Sequence, residues 1–337
     1  MKLPVALVAS VLLIAPLILV APLLSVPAIA QPAAQAPPPP ATDTVAPAIA
    51  GVTAPGTKVT VIKEGFQGTE GPIALPDGSV VFTETNASRL TRIDKDNNVS
   101  TFLENTNGSN GLAFDAKGRM ISVQTTPGQT RVGVIYPKGS EVTFENTIDG
   151  RPNDLTVNRQ GGVYFTVPGP VAPPQGAPAP ATPFVPFVYY IPPGGRAVKA
   201  AEGIDNPNGI LLSRDEKTLF LNNTRGEYLL AYDVQADGKL ANRRNFGRYE
   251  GVTKTATGVT SGADGLAIDN EGRVYAATSA GVQVFSPDGK HLGTIPVSRS
   301  PQNIAFAGPD KKTLYIVGRG AAWKVQMLTP GFLGRAK

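Results

Sequence analysis

The sequence contains no cysteine and only one histidine, and these absences exclude several kinds of chemistry. Without cysteine there can be no disulfide, no thiol nucleophile and no thiolate metal ligand. The single histidine, His291, follows Pro287-Asp288-Gly289, a sequence typical of a hairpin turn, and a lone imidazole cannot form a zinc site of the HExxH type. A Ser-His-Asp triad would need this residue, and no GxSxG motif accompanies it. Thiol, histidine-zinc and serine-triad catalysis are therefore all disfavoured.

Charged residues are also sparse, at 17% of the chain, with a formal net charge of +5. The basic residues are scattered, apart from the pair Arg243-Arg244, so the sequence lacks the clustered basic surface of a nucleic-acid-binding protein. We expect a solvated, mildly basic surface and no nucleic-acid partner.

The first thirty residues have the pattern of a secretory signal peptide. In residues 1–30, Lys2 is followed by an uncharged apolar stretch that ends in Ala28-Ile29-Ala30, a small-residue cleavage pattern. An uncleaved anchor is the alternative, because the apolar run is long enough to cross a bilayer, although three prolines within it disfavour a spanning helix. Either interpretation predicts a periplasmic or secreted protein, with no membrane contact beyond this segment.

The next segment, residues 31–56, is rich in alanine and contains seven prolines, without a periodic apolar pattern. Such a composition predicts an extended, disordered linker that does not contribute to a core. The folded domain is therefore expected over residues 57–330.

Within that domain a short motif recurs six times, in which a polar residue, usually followed by glycine, precedes an apolar strand. The copies are Glu70-Gly71-Pro72, Asn110-Gly111-Leu112, Asn153-Asp154-Leu155, Asn208-Gly209-Ile210, Asp264-Gly265-Leu266 and Asn303-Ile304-Ala305. Successive copies are 39 to 56 residues apart, with no helical pattern between them. This period predicts an all-β fold, a six-bladed β-propeller, preceded by the signal peptide and the Pro/Ala-rich linker.

Each repeat continues with a turn and a second strand that runs back towards the motif. The ends of the second strands should therefore lie at the same mouth of the propeller as the motifs; they are Glu84, Asn86, Gln124, Thr166, Asn222, Asn223, Thr278 and Ser279. A strand near residues 57–62 should pair with one near 322–325 and close the ring. The insertion at 168–186, with eight prolines, is interpreted either as a stiff roof over the mouth or as a surface excursion.

The six polar residues suggest a ring of oxygen ligands. Glu70 and Asp264 provide carboxylates, and the other four copies begin with asparagine. Asparagine or aspartate before glycine is common in ordinary turns, but six copies in register, two acidic and none basic, favour a binding ring. Two carboxylates in one channel repel each other unless a cation lies between them. Oxygen ligands favour Ca²⁺, with Mg²⁺ or Mn²⁺ as alternatives and Zn²⁺ less suited.

Over about residues 60–328 the chain also resembles the regucalcin/gluconolactonase family (senescence-marker-protein and luciferin-regenerating-enzyme relatives). The resemblance lies in the order and spacing of Glu70-Gly71-Pro72, Arg151-Pro152-Asn153-Asp154-Leu155, Val163-Tyr164-Phe165-Thr166, Asn206-Pro207-Asn208-Gly209, Asp264-Gly265-Leu266-Ala267-Ile268-Asp269 and Phe306-Ala307-Gly308-Pro309-Asp310. It implies a six-bladed propeller around a divalent metal, with Glu70, Asn208 and Asp264 as ligands. It also implies that Asn153 adjoins metal and substrate, that Arg151 contacts substrate hydroxyls, and that Asp264 is the general base.

These features together predict a divalent-metal-dependent lactonase that opens a sugar lactone or related cyclic ester at the central channel, acting as a monomer. Asn110 in the ring and Gln124 at the mouth are further substrate-binding candidates. Many bacterial relatives have glutamate in place of Gln124, and Val167-Pro168 stands where the family often has Asp-Pro, so the substrate-selecting surroundings differ. The alternative is a non-enzymatic exported propeller that holds structural calcium and binds a ligand or partner. Strictosidine-synthase-like and paraoxonase-like propellers are a third possibility, but the paraoxonase type uses histidines that this chain lacks.

Overall fold

The computed structural model describes Met1 and residues 38–171, 182–256 and 258–334. Apart from Met1, the predicted signal peptide lies outside the described residues, as do residues 31–37 of the predicted linker and 172–181 of the Pro-rich insertion. The described part of the chain contains 27 β-strands and one 3-10 turn, Thr85–Ala87. In that part there is no helix long and apolar enough to span a membrane.

The strands follow one another with short turns between them. In chain order they are β1 Thr44–Val45, β2 Lys58–Glu64, β3 Thr69–Ala74, β4 Val80–Glu84, β5 Arg89–Ile93, β6 Val99–Glu104, β7 Ser109–Phe114, β8 Met120–Gln124, β9 Arg131–Tyr136, β10 Val142–Glu145, β11 Leu155–Val157, β12 Val163–Val167, β13 Phe187–Ile191, β14 Val198–Glu202, β15 Pro207–Leu212, β16 Thr218–Asn223, β17 Tyr228–Val234, β18 Leu240–Arg248, β19 Thr253–Thr255, β20 Gly258–Thr260, β21 Leu266–Ile268, β22 Val274–Thr278, β23 Gly281–Phe285, β24 His291–Ile295, β25 Asn303–Ala307, β26 Thr313–Gly318 and β27 Ala321–Gln326.

Twenty-four of these strands build six antiparallel blades, while β1 extends the edge of the last blade and β19 and β20 form a separate two-stranded sheet. Blades 1 to 5 are β3–β6, β7–β10, β11–β14, β15–β18 and β21–β24, and blade 6 consists of β25, β26, β27 and β2. The first strand of each blade contacts the first strand of the next, and β25 of blade 6 contacts β3 of blade 1. The circle is therefore closed, and the predicted all-β six-bladed propeller is confirmed.

Closure takes place within blade 6, where the two ends of the domain share one sheet. Strand β2 pairs antiparallel with β27, and Val59 lies opposite Val325 while Val61 lies opposite Trp323. This is the predicted pairing of strands near residues 57–62 and 322–325, and it leaves no unpaired edge between the ends. The indole of Trp323 is fully buried in the adjoining core cluster.

Apolar faces of neighbouring blades pack against one another and hold the first strands in place. Between blades 5 and 6, for example, the rings of Tyr275 and Phe306 meet edge to face with centroids 5.1 Å apart. Both side chains are fully buried, and the Tyr275 hydroxyl donates to Asp269 Oδ2 at 2.9 Å. Such contacts make the inner strands a rigid support for the residues around the axis.

The predicted linker is wrong for residues 38–56, because this segment packs on the propeller. The compact unit begins at Pro38, and β1 pairs with β2. Ala46, Ile49 and Val52 are buried in the cluster that also contains Trp323. The segment has little regular structure, so its few apolar residues have no helical or strand periodicity, and its proline content concealed their role.

The described ends of the Pro-rich insertion leave blade 3 beside the third motif. The Arg151 backbone N–H donates to Gly169 O at 2.8 Å, and the Phe184 ring packs against Phe187 at 5.5 Å. A roof over the mouth would involve residues 172–181, which lie outside the described residues. The two interpretations of the insertion therefore stay predictions.

The packed N-terminal segment yields a stability prediction. Ile49 is 4% exposed and lies against Gly293, so Ile49→Ala should lower the free energy of unfolding by about 2–5 kcal/mol through loss of buried apolar contact. Val45, in the same segment, is 57% exposed, and Val45→Ala should change it by less than about 0.5 kcal/mol. Denaturant unfolding of the full chain measures both, and equal free energies for the two variants would contradict the packing.

Candidate functional site

The six motifs mark the starts of the six first strands, and the hydrogen-bond register defines one equivalent position in each blade. In blade 5 Asp264 N donates to Ala277 O at 2.9 Å, and in blade 6 Gln302 N donates to Val317 O at 2.8 Å. Next in register, Leu266 lies opposite Ala276 and Ile304 opposite Ile316. We call these equivalent residues the ring positions: Glu70, Asn110, Asn153, Asn208, Asp264 and Gln302.

The prediction of Asn303 as the sixth ring residue is therefore wrong by one residue. Asn303 occupies the place that Gly265 holds in blade 5 and Asp154 in blade 3. The sixth copy has no glycine that would mark which residue takes the ring position. Asn303 followed by Ile304 resembles the polar residue and apolar strand of the other copies, so the predicted position is one residue too late.

Backbone carbonyls at the ring positions accept hydrogen bonds from the preceding blade. The bonds are Thr83 Oγ1 to Asn110 O at 3.0 Å, Gly111 N to Asn153 O at 2.9 Å, Thr166 Oγ1 to Asn208 O at 2.8 Å, Gly209 N to Asp264 O at 2.9 Å and Gly265 N to Gln302 O at 2.7 Å. Five of the six ring positions are thus bonded through their carbonyls to the blade before them, which holds the starts of the first strands together around the axis.

Close approach between blades explains the glycine that follows the ring position. A Cβ added to Gly209 would overlap the Asp264 carbonyl oxygen, and one added to Gly265 would overlap the Asn303 side chain. At Gly111 the added atom would lie 2.7 Å from the Asp154 Cα. The motif therefore contains glycine because adjacent first strands leave no room for a side chain there.

Two ring amides present buried oxygens without hydrogen-bond donors. Within the described residues, neither Asn110 Oδ1 nor Asn208 Oδ1 accepts a hydrogen bond, and both atoms are buried. Asn208 Nδ2 donates to Thr224 Oγ1 at 3.3 Å, and that hydroxyl donates onward to Ala263 O at 2.7 Å, so it can only accept from Asn208. A buried oxygen of this kind costs about 1–3 kcal/mol unless a water, a cation or another ligand engages it.

Asp264 is held at its backbone by a buried chain of polar groups. Asn222 Nδ2 donates to Asp264 O at 2.6 Å, and Asn222 Oδ1 accepts from the Tyr249 hydroxyl at 2.6 Å. Burial raises the pKa of Tyr249 well above its usual value, so the hydroxyl remains a proton donor at physiological pH. The sequence placed Asn222 at the mouth but contained no signal for this link to Tyr249.

The predicted substrate-binding residues occupy different surroundings. Asn153 is buried at a ring position, and Arg151, two residues earlier, has an exposed side chain. Gln124 is 1% exposed, and its Oε1 accepts from Arg131 Nε at 2.7 Å and from Asn107 Nδ2 at 3.2 Å. The structure therefore brings Asn153 to the ring with Arg151 close by in sequence, whereas the Gln124 oxygen is engaged within its own blade.

Glu84 in blade 1 stands where Gln124 stands in blade 2, because Thr69 lies opposite Glu84 and Ser109 opposite Gln124. Arg89 binds both Glu84 oxygens, at 2.9 and 3.0 Å. Burial raises the pKa of Glu84, but hydrogen bonds from Arg89, Thr91 and the Gln67 N–H outweigh it and hold the pKa below its usual value. The charge of Glu84 is therefore balanced by Arg89, so we do not count Glu84 among the candidate metal ligands.

The donor set at the ring matches a hard cation. Nowhere in residues 38–171, 182–256 or 258–334 do three or more His, Cys, Asp and Glu side chains form a group that could hold a metal ion. A metal at the ring would thus depend on two carboxylates, Glu70 and Asp264, together with amide oxygens such as that of Asn208. Carboxylate and amide oxygens are the ligands that Ca²⁺ takes in proteins.

A cavity of about 480 Å³ opens at the other end of the first strands, away from the ring positions. Its lining includes Ala74, Phe114, Val157 and Leu211, with Lys311 at the edge. Burial lowers the pKa of Lys311 to about 8, and its Nζ donates to Phe332 O at 2.9 Å. The cavity lining also includes Asp115, Asn158 and Glu216, but the six repeated polar positions lie at the ring end, and we take that end as the candidate site.

The tight spacing of the first strands yields a second prediction. Gly209→Ala should lower the free energy of unfolding by about 1–3 kcal/mol, because the new Cβ overlaps the Asp264 carbonyl. Gly169→Ala is the matched control, since an added Cβ there has no neighbour within 4 Å, and it should stay within about 0.5 kcal/mol of the wild type. Denaturant unfolding compares them, and a neutral Gly209→Ala would mean that the blades can separate at this point.

Comparisons with known proteins agree with this architecture. The family profile described as "SMP-30/Gluconolactonase/LRE-like region" matches residues 68–319. The chain is 28% identical over 306 residues to a gluconolactonase of Zymomonas mobilis, covering 82% of this chain and 83% of the relative. It is 24% identical over 261 residues to pentonolactonase XacC of Haloferax volcanii, covering 74% and 81%.

Among solved structures, a gluconolactonase of Xanthomonas campestris superposes with a TM-score of 0.71 at 27% identity, covering 86% of this chain and 98% of that one. The matched profile spans most of the propeller, from just before the first ring position to the last blade. This chain therefore belongs to the SMP-30/gluconolactonase/LRE-like family.

Proposed function

We propose that this protein is a divalent-metal-dependent lactonase whose reaction takes place at the ring end of the central channel. The observation that carries the proposal is the pair of buried amide oxygens, Asn110 Oδ1 and Asn208 Oδ1, which accept no hydrogen bond from the described residues. The ring also contains two carboxylates, so the proposed metal ligands are all oxygens. Family relatives named gluconolactonase and pentonolactonase support a lactone as the substrate class. The predicted signal peptide supports a periplasmic or secreted location.

The metal-holding residues proposed are Glu70, Asn208 and Asp264, with Asn153 beside them. Their donors are oxygens, which supports Ca²⁺ as the ion, with Mn²⁺, Mg²⁺ and Zn²⁺ as the alternatives to be tested. A bound divalent cation would supply Lewis-acid polarisation of the lactone carbonyl oxygen.

The proton transfer is assigned to Asp264. Asp264 accepts a proton from the attacking water as the water oxygen bonds to the carbonyl carbon. Its backbone, held by Asn222 and by Gly209 N, limits the movement of this carboxylate and so keeps it aligned for the transfer. The ring C–O bond then breaks, the leaving oxygen takes up the proton that Asp264 accepted, and the product is a hydroxy acid.

Substrate positioning is assigned to Arg151, Asn153 and Asn110. The exposed guanidinium of Arg151 can donate to substrate hydroxyls, and the Asn153 amide can donate to or accept from them. Asn110 contributes a further amide on the ring. Gln124 is the weakest of the predicted contacts, because Arg131 and Asn107 already occupy its oxygen.

Metal removal tests the proposed reaction directly. Hydrolysis of a panel of sugar and aliphatic lactones, followed by acid release, should fall to the uncatalysed rate after chelation and return on addition of Ca²⁺, Mn²⁺, Mg²⁺ or Zn²⁺. Full activity in protein that elemental analysis finds metal-free would contradict metal dependence. Metal binding without hydrolysis of any lactone would instead favour the alternative, a non-enzymatic propeller with structural calcium.

Substitution of the proposed base gives a second test. Asp264→Asn keeps the size of the side chain but removes the proton acceptor and one metal charge, so kcat should fall at least about 100-fold. Asp233→Asn is the control, because Asp233 is a partly exposed residue of blade 4 paired with Arg244, and its kcat should be unchanged. Comparable lactonase rates for the two variants would remove Asp264 from the mechanism.

A further inference from the structure

The junction between blades 6 and 1 is made differently from the others, through the side chain of Glu70. Gln302 Nε2 donates to Glu70 Oε1 at 3.1 Å, and Asn303 Nδ2 donates to Glu70 Oε2 at 3.3 Å. Both oxygens of the carboxylate therefore accept an amide N–H from the last blade. We call this pair of amides the Glu70 clamp.

The orientation of both clamp amides is determined by their oxygen ends. Gln302 Oε1 accepts from the Arg319 backbone N–H at 2.7 Å and from Thr69 Oγ1 at 3.4 Å. Asn303 Oδ1 accepts from the Ile304 backbone N–H at 2.9 Å. Because the oxygens are turned to these donors, the nitrogens must face the carboxylate.

The Glu70 clamp restrains a side chain that would otherwise be flexible. A glutamate side chain has three rotatable bonds, and ordering it costs free energy. Glu70 is 9% exposed and Asn303 is 1% exposed, so these hydrogen bonds are largely shielded from water. A carboxylate offers about four lone-pair directions, so the two clamp hydrogen bonds do not by themselves exhaust the acceptor capacity of either oxygen.

We propose that Gln302 and Asn303 are positioning residues that orient the Glu70 carboxylate for a divalent cation at the ring. This inference rests on the proposed function, because it requires that Glu70 is a metal ligand. Hydrogen bonds to ligating carboxylates commonly determine how well a site binds its metal. In this protein the same two amides also join blade 6 to blade 1. The hydrogen bonds that hold these blades together are therefore the ones that orient Glu70.

A matched pair of glutamine variants tests the clamp. Gln302→Met keeps a long side chain and removes the N–H that reaches Glu70. Gln283→Met is the control: Gln283 is a buried glutamine of blade 5 whose Nε2 donates to Glu250 O and Thr278 Oγ1, both at 2.9 Å, and it does not contact the ring residues named above. Both variants lose buried hydrogen bonds, but only the first changes the surroundings of Glu70.

The measurement is calorimetric titration of the full-length, metal-stripped proteins with Ca²⁺. The Kd should rise about 10-fold in Gln302→Met and stay at the wild-type value in Gln283→Met. Asn303→Ala, which removes the second amide, should raise the Kd in the same direction. Saturating Ca²⁺ should restore most of the lactonase kcat of Gln302→Met, since a positioning residue takes no part in the bond changes.

The outcomes separate the clamp from the proposed function. If the wild type binds Ca²⁺ and both glutamine variants bind it equally well, the clamp is overturned while the lactonase proposal stands. If the wild type binds none of Ca²⁺, Mn²⁺, Mg²⁺ or Zn²⁺, the metal site fails and the clamp fails with it. If Gln302→Met does not fold, Asn303→Ala compared with Gln283→Met decides the question by the same titration.

Discussion

The structure depends on the close contact between the first strands of neighbouring blades. At each of five junctions a backbone carbonyl at a ring position accepts a hydrogen bond from the preceding blade. The strands can approach so closely only because glycine follows most ring positions, as at Gly209 and Gly265. Six similar sheets are thereby locked around one axis, and the same contacts place six polar side chains at one end of it.

This arrangement has a chemical consequence. Backbone carbonyls accept the inter-blade hydrogen bonds at five ring positions, and the buried side-chain oxygens of Asn110 and Asn208 accept none from the described residues. The junction between blades 6 and 1 is the exception, because there the carboxylate of Glu70 is itself part of the contact. Fold and site are therefore most directly coupled at Glu70, at the junction between blades 6 and 1.

The two ends of the first strands differ in character. The ring end presents carboxylates and amides, with Asp264 held from behind by Asn222 and Tyr249. The opposite end has a mainly apolar cavity edged by Lys311, whose pKa burial lowers to about 8. Cavity volume is therefore not by itself a guide to chemistry in this fold, and the proposed function rests on the carboxylate and amide residues of the ring end.

The sequence by itself determined the number of blades, the pairing that closes them and five of the six ring positions, because repeated turns and alternating strands are local patterns. Only the tertiary structure decided that Gln302 rather than Asn303 is the sixth, that Arg131 engages Gln124, and that residues 38–56 pack on the propeller. The first two outcomes depend on hydrogen-bond partners in other strands or blades. The third depends on the burial of apolar residues that have no periodic pattern. Spacing along the chain contains no record of such contacts, which arise only when the sheets meet.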